Sequence, residues 1–102
     1  MVSNFSYSQE IAKKSGSNFY LSFFFLPKEK KEGMIVIYAF SRLVDDAVDE
    51  APNEATAKKE IKLWRERVES CYAGSFKDAH PILPELKVIV ERFQILKTIF
   101  WI

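Results

Sequence analysis

Apolar positions recur along the chain in stretches of helical length, broken by proline and by Gly/Ser clusters, and that pattern predicts an all-α protein. A short first helix is expected from about Ser8 to Lys14, stopping at the polar break Ser15-Gly16-Ser17. The apolar run Asn18 to Leu26 follows and ends at Pro27. Periodicity alone does not separate strand from buried helix there. Helix is the reading adopted, because nothing else in the chain looks like a strand that could pair with it. Lys28 to Glu50 has no interior proline, and Pro27 and Pro52 bracket it, so it is expected as one long helix with Gly33 its weakest member. Asn53 is a suitable N-cap for a helix running to about Tyr72 and closed by Gly74. Its buried stripe should carry Ala57, Ile61, Trp64, Val68 and Cys71. A last helix begins after Pro81 or Pro84 and turns Leu86, Ile89, Val90 and Phe93 inward.

The long helix has an unusual end. On a wheel of about 100° per residue, Tyr38, Arg42, Asp45 and Asp49 fall within an arc of roughly 40–60°, with Asp46 at its border. Apolar residues fill the rest of the circumference, among them Ile35, Val36, Phe40, Leu43, Val44 and Val48. A helix of that kind is expected to be surrounded by protein, which would turn the polar stripe toward an internal cavity. Such an end is electrostatically awkward. Asp45 and Asp49, and Asp46 and Glu50, are like-charged pairs four residues apart, each costing roughly 0.2–0.5 kcal/mol. Acids in a last helical turn also oppose the helix dipole, by roughly 0.3–1 kcal/mol apiece. A divalent cation reverses both signs, and Mg²⁺ is satisfied by one or two carboxylates completed by water and phosphate oxygens. The other reading is a solvated acidic helix end beside a proline-terminated turn. Against it stand the apolar surroundings, the alignment of Tyr38 and Arg42 with the acids, and the lack of any Lys or Arg between residues 43 and 57.

Composition narrows the classes. The chain has 102 residues, enough for one small domain, with 48% hydrophobic and 28% charged residues, as in globular proteins. Lys and Arg total 15 against 14 acids, with no basic patch, so no nucleic-acid partner is expected. One cysteine forms no internal disulfide, and the N-terminus has no secretory pattern, which together suggest a cytoplasmic protein. The longest apolar run, FYLSFFFL, is far shorter than the roughly 20 residues that span a bilayer. At 15% aromatic, the chain carries more bulky apolar surface than its length buries easily, which favours self-association.

The segment SGSNFYLSFFFLPKEKKEGMIVIYAFSRLVDDAVDE resembles the N-terminal region of the squalene/phytoene synthase family, in particular its bacterial presqualene-diphosphate-forming members. The specific part is YAF-x-R-x-x-DD-x-x-D over a first D-x-x-x-D motif, and HPILPEL and ERFQI are similar to the family's next helices. The resemblance implies part of an isoprenoid synthase fold, a helical bundle around a prenyl diphosphate cavity. By that resemblance, Asp45, Asp46 and Asp49 hold Mg²⁺, with Mn²⁺ as a substitute. Arg42, Ser17 and Asn18 contact diphosphate, Phe19 lines the prenyl channel, and Tyr38 lies near the reacting carbons, so that Tyr38, Asp45 and Asp49 carry the catalysis. The implied activity is head-to-head joining of two farnesyl diphosphates, with phytoene or dehydrosqualene synthesis as the variant. Gly16 and Asn18 stand where some members have Ser. The family's second aspartate-rich motif has no counterpart here. Residues 1 to about 95 therefore resemble the front third of a family enzyme, and residues 96–102, ending in IFWI, an aberrant tail. A fragment of this kind is expected to be inactive alone. A non-catalytic helical remnant or interaction module is the competing class.

The remaining candidates have plainer readings. His80 is expected as a structural cap or a solvated residue, since it has no second His or Cys at ligand spacing. Cys71 is expected in the core. Lys28, Lys30 and Lys31 suit a solvated first turn, with loose association to the inner membrane face as the alternative. Tyr38 on residue type alone is equally a core aromatic.

Overall fold

The computed structural model describes residues 5–14 and 22–97. Among the described residues run four α-helices with defined bounds: α1 (Ser6–Lys14), α2 (Lys28–Asp49), α3 (Glu54–Ala73) and α4 (Ile82–Arg92). Two 3-10 turns, Phe23–Phe25 and Lys77–Ala79, precede α2 and α4. No strand occurs among the described residues, and no helix among them is long and apolar enough to cross a membrane.

The helix boundaries follow from local chemistry. Pro27 is the N-cap of α2, and the Lys31 N–H donates to its carbonyl at 2.8 Å. Proline at that position also holds Leu26 extended (φ −88°, ψ 152°), which ends the preceding turn. Of the expected helix from Asn18 to Leu26, Ser22 is α-helical and Phe23–Phe25 form a 3-10 turn; the part before Ser22 lies outside the described residues. The Asn53 side chain accepts the Thr56 N–H at 2.8 Å and starts α3. Gly74 ends α3 at φ 80°, a left-handed conformation that costs glycine little.

α2 is the central element and packs against α1, α3 and α4. Its buried residues Val36 and Ala39 join Trp64 and Cys71 from α3 and Ile82, Leu86 and Ile89 from α4 in the main core, while Ile35 packs with Ala12 of α1 and with Phe23. Two buried carboxylates lock this arrangement over long sequence separations. Glu85 of α4 accepts the backbone N–H groups of Tyr7 (3.1 Å) and Ser8 (2.9 Å), satisfying the open end of α1. Glu32 of α2 pairs with Arg92 of α4 at 3.0 Å, and the same guanidinium lies over the Phe5 ring at 5.5 Å.

Of the expected core residues, Ala57 is half-buried and two are exposed. Ile61 is 40% exposed, because it sits at the edge of the arc that carries Trp64, Val68 and Cys71. Phe93 is 43% exposed, because α4 ends at Arg92 and Phe93, its C-cap, leaves the inward stripe. Its ring rests instead on Gly33, where an added Cβ would lie 2.7 Å from Phe93 Cε2. The apolar surplus is visible on the surface, with Phe25 90% and Leu96 70% exposed.

Candidate functional site

The candidate site is the polar stripe of α2. The helix brings Tyr38, Arg42, Asp45, Asp46 and Asp49 onto one side through spacing alone. Arg42 Nε and Asp46 Oδ1 form an ion pair at 3.5 Å, with their side chains 47% and 45% exposed. Pairs this open contribute little to stability. Their effect is to hold Asp46 on the guanidinium and leave Asp45 and Asp49 as the acids facing outward, both exposed.

The structure leaves Asp45 and Asp49 exposed and not turned into the expected enclosed cavity. Among the described residues the stripe faces solvent, and Leu43, Val44, Ala47 and Val48 beside it are only half-buried. An apolar helix is enclosed only where neighbours stand on every side. α1, α3 and α4 enclose the first half of α2, burying Ile35, Val36 and Ala39, but leave its last turns open. Arg42, paired with Asp46, offsets part of the repulsion among the acids.

At the upper end of the stripe, Tyr38 is half-buried and meets the Phe23 ring edge-on, with centroids 6.0 Å apart and an interplanar angle of 71°. Phe23, Ala12 and Ile35 form a small buried cluster against which Tyr38 packs. Sequence reasoning did not single out Phe23. It lies in a run of three phenylalanines whose periodicity does not tell which ring turns inward. Ser17, Asn18 and Phe19, expected to contact substrate, lie outside the described residues.

Among the described residues, no three His, Cys, Asp or Glu side chains converge closely enough to hold a metal ion by themselves. The donors do fit a shared site. Asp45 and Asp49 offer one face with two carboxylates, which is the protein's usual contribution to Mg²⁺ when phosphate oxygens and water supply the rest.

Away from the stripe, Cys71 is fully buried, its Sγ 3.5 Å from the Leu83 carbonyl, and burial pushes the thiol up to about 11. His80 caps α4, as its Nδ1 accepts the Ile82 N–H at 3.2 Å. Both plainer readings of these residues hold. A purely apolar groove of about 500 Å³ lies beside Leu26, Gly33, Met34, Ile37 and Phe93, with Lys30 at its edge. It occupies another side of α2, about 100° around the helix from the acids.

Residues 12–101 match the family model for squalene/phytoene synthase. The chain is similar to presqualene diphosphate synthase of Rhodopseudomonas palustris, 33% identical over 60 residues that make up 59% of this chain and 22% of that protein. It is also similar to phytoene synthase of Arthrospira platensis, 30% identical over 76 residues, 74% of this chain and 23% of that protein. Phytoene synthase of Cereibacter sphaeroides matches at 27% over 93 residues, 26% of its length. The chain thus spans about a quarter or less of the curated relatives it matches. No solved structure matches it. With nearly the whole chain under one family model and its aligned relatives bearing two of that family's activities, the chain belongs to the squalene/phytoene synthase family.

Proposed function

We propose that this chain supplies the first aspartate-rich half-site of a head-to-head prenyltransferase that joins two farnesyl diphosphates into presqualene diphosphate or squalene, in hopanoid, sterol or carotenoid biosynthesis. The observation that carries this reading is the placement of Asp45 and Asp49 one helical turn apart, with Arg42 on the same side of α2 and Asp46 held on its guanidinium. Ionising an allylic diphosphate requires the charge of the leaving group to be neutralised. Bound Mg²⁺, or Mn²⁺ in its place, supplies that neutralisation. In this reading Asp45 and Asp49 hold the ion, Asp46 keeps Arg42 oriented, and Arg42 meets a diphosphate oxygen directly. Tyr38, seated on Phe23, presents an aromatic face at the apolar end of the stripe, suited to a carbocation.

A second reading, phytoene or dehydrosqualene synthesis, is favoured by the similarity to two phytoene synthases. It uses the same half-site and differs in prenyl chain length or in the later fate of the intermediate. A third, a helical interaction module without catalysis, is favoured by the openness of the acids to solvent.

The test uses a family-length enzyme carrying residues 1–102 as its N-terminal part. Asp45→Asn and Asp49→Asn should each lower turnover of farnesyl diphosphate about a hundredfold or more, as expected for loss of a carboxylate that holds a catalytic metal. Circular dichroism should stay unchanged, since both side chains are exposed. Wild-type turnover in either variant would return these residues to the solvated-surface reading and favour the non-catalytic module.

A further inference from the structure

His80 stands where α3 hands the chain over to α4, and its imidazole touches three helices. Its Nδ1 accepts the Ile82 N–H at 3.2 Å. Its ring meets Tyr7 of α1 edge-on at 5.9 Å and Trp64 of α3 at 5.0 Å. An imidazole that accepts through Nδ1 is neutral and carries its proton on Nε2. A second proton, on Nδ1, turns the acceptor into a donor facing another donor and removes the cap from the first turn of α4.

The charges around the ring make that proton costly. Arg67 of α3 approaches from one side, its guanidinium 4.5 Å from the centre of the Trp64 ring. Asp78, in the turn before α4, is the acid near the imidazole, and it is already bonded to Arg67 at 3.3 Å. From α1, Tyr7 presents a phenol that burial, then Glu85, hold protonated above its ordinary range. From α4, Glu85 is engaged by the Tyr7 and Ser8 N–H groups.

We propose that His80 is an acid-released latch: protonation at Nδ1 uncaps α4 and loosens the corner shared by α1, α3 and α4. The loosening reaches α1 because Glu85, one turn into α4, is what seats the amino end of α1. Burial, and after it Arg67, lower the His80 pKa below its ordinary 6.5, with Asp78 opposing. A histidine whose folded pKa lies below its unfolded one contributes stability that is complete above pH 6.5 and is lost as pH falls through the folded value.

This chain has one histidine, so an imidazole signal followed by NMR from about pH 8 to about pH 5 belongs to His80. The expected midpoint is below 6.5. The Ile82 amide should shift with the same midpoint, and hydrogen exchange in the first turn of α4 should rise about tenfold across it. A midpoint at or above 6.5, or an Ile82 amide indifferent to the titration, overturns the proposal. His80→Asn keeps a short side-chain acceptor and takes no proton. Its urea midpoint should stay level between about pH 7.5 and about pH 5.5, where that of the wild type falls. A parallel fall in both proteins sinks the latch. Should the variant not fold, the wild-type titration decides alone.

Discussion

Cys71 sits between Trp64 and the α4 backbone with no access to solvent, and the behaviour of its thiol follows from that position. Burial raises its pKa from 9.0 to about 11, with Lys87 lowering it and Glu91 raising it by smaller amounts. The folded chain therefore keeps the proton to higher pH than the unfolded chain does. Stability is full below pH 9 and declines as pH rises toward 11. The raised pKa values of Tyr7 and Tyr72 act in the same direction, but only from about their ordinary 10.0 upward. Between pH 9 and 10 the loss belongs to Cys71, and it should amount to about 1 kcal/mol in urea unfolding. Cys71→Ala should be less stable overall yet level across that window, and the wild-type thiol should resist thiol reagents until denaturant is added. The core role of Cys71 was legible in the sequence, since it continues the spacing of Trp64 and Val68. The clamps formed by Glu85 and Glu32 were not, because each binds a group about 60 to 78 residues away in sequence.

At the scale of elements, α2 and α4 meet where the Phe93 ring lies on Gly33. Glycine inside a helix costs about 1 kcal/mol relative to alanine, and here the missing side chain makes room for the ring. In a Phe93→Ala background, Gly33→Ala should stabilise the chain by about 1 kcal/mol, because only the helix propensity is then at issue. In the wild type the gain should be smaller by about 0.5 kcal/mol or more, as the added Cβ must push aside a ring carbon 2.7 Å away. Chemical denaturation of the four proteins in the cycle measures the difference. The sequence marked Gly33 only as a weak point. The helix boundaries were easier: Pro27, Asn53 and Gly74 act through their own backbone and nearest neighbours, and each stands at a boundary as expected. Phe93 was misplaced because an inward stripe was extended one residue beyond the end of α4.

For the whole molecule, the described helices are all-α, as is the isoprenoid synthase fold of the squalene/phytoene synthase family. Their arrangement leaves Asp45 and Asp49 in water, and a reactive allylic cation needs a pocket that excludes water. The 102-residue chain by itself should therefore release no diphosphate from farnesyl diphosphate with Mg²⁺, as read by a phosphate assay after pyrophosphatase. Release above the no-protein control would mean that the open stripe is competent as it stands. By itself the sequence determined the helical class, the family and the grouping of Tyr38, Arg42, Asp45 and Asp49 on one side of α2, because helix period and capping act over a few residues. Tertiary structure alone decided that Asp45 and Asp49 are left exposed, that Phe23 supports Tyr38 and that Glu85 seats α1. Burial depends on which distant segments come to stand beside a helix, and no spacing along the chain encodes that.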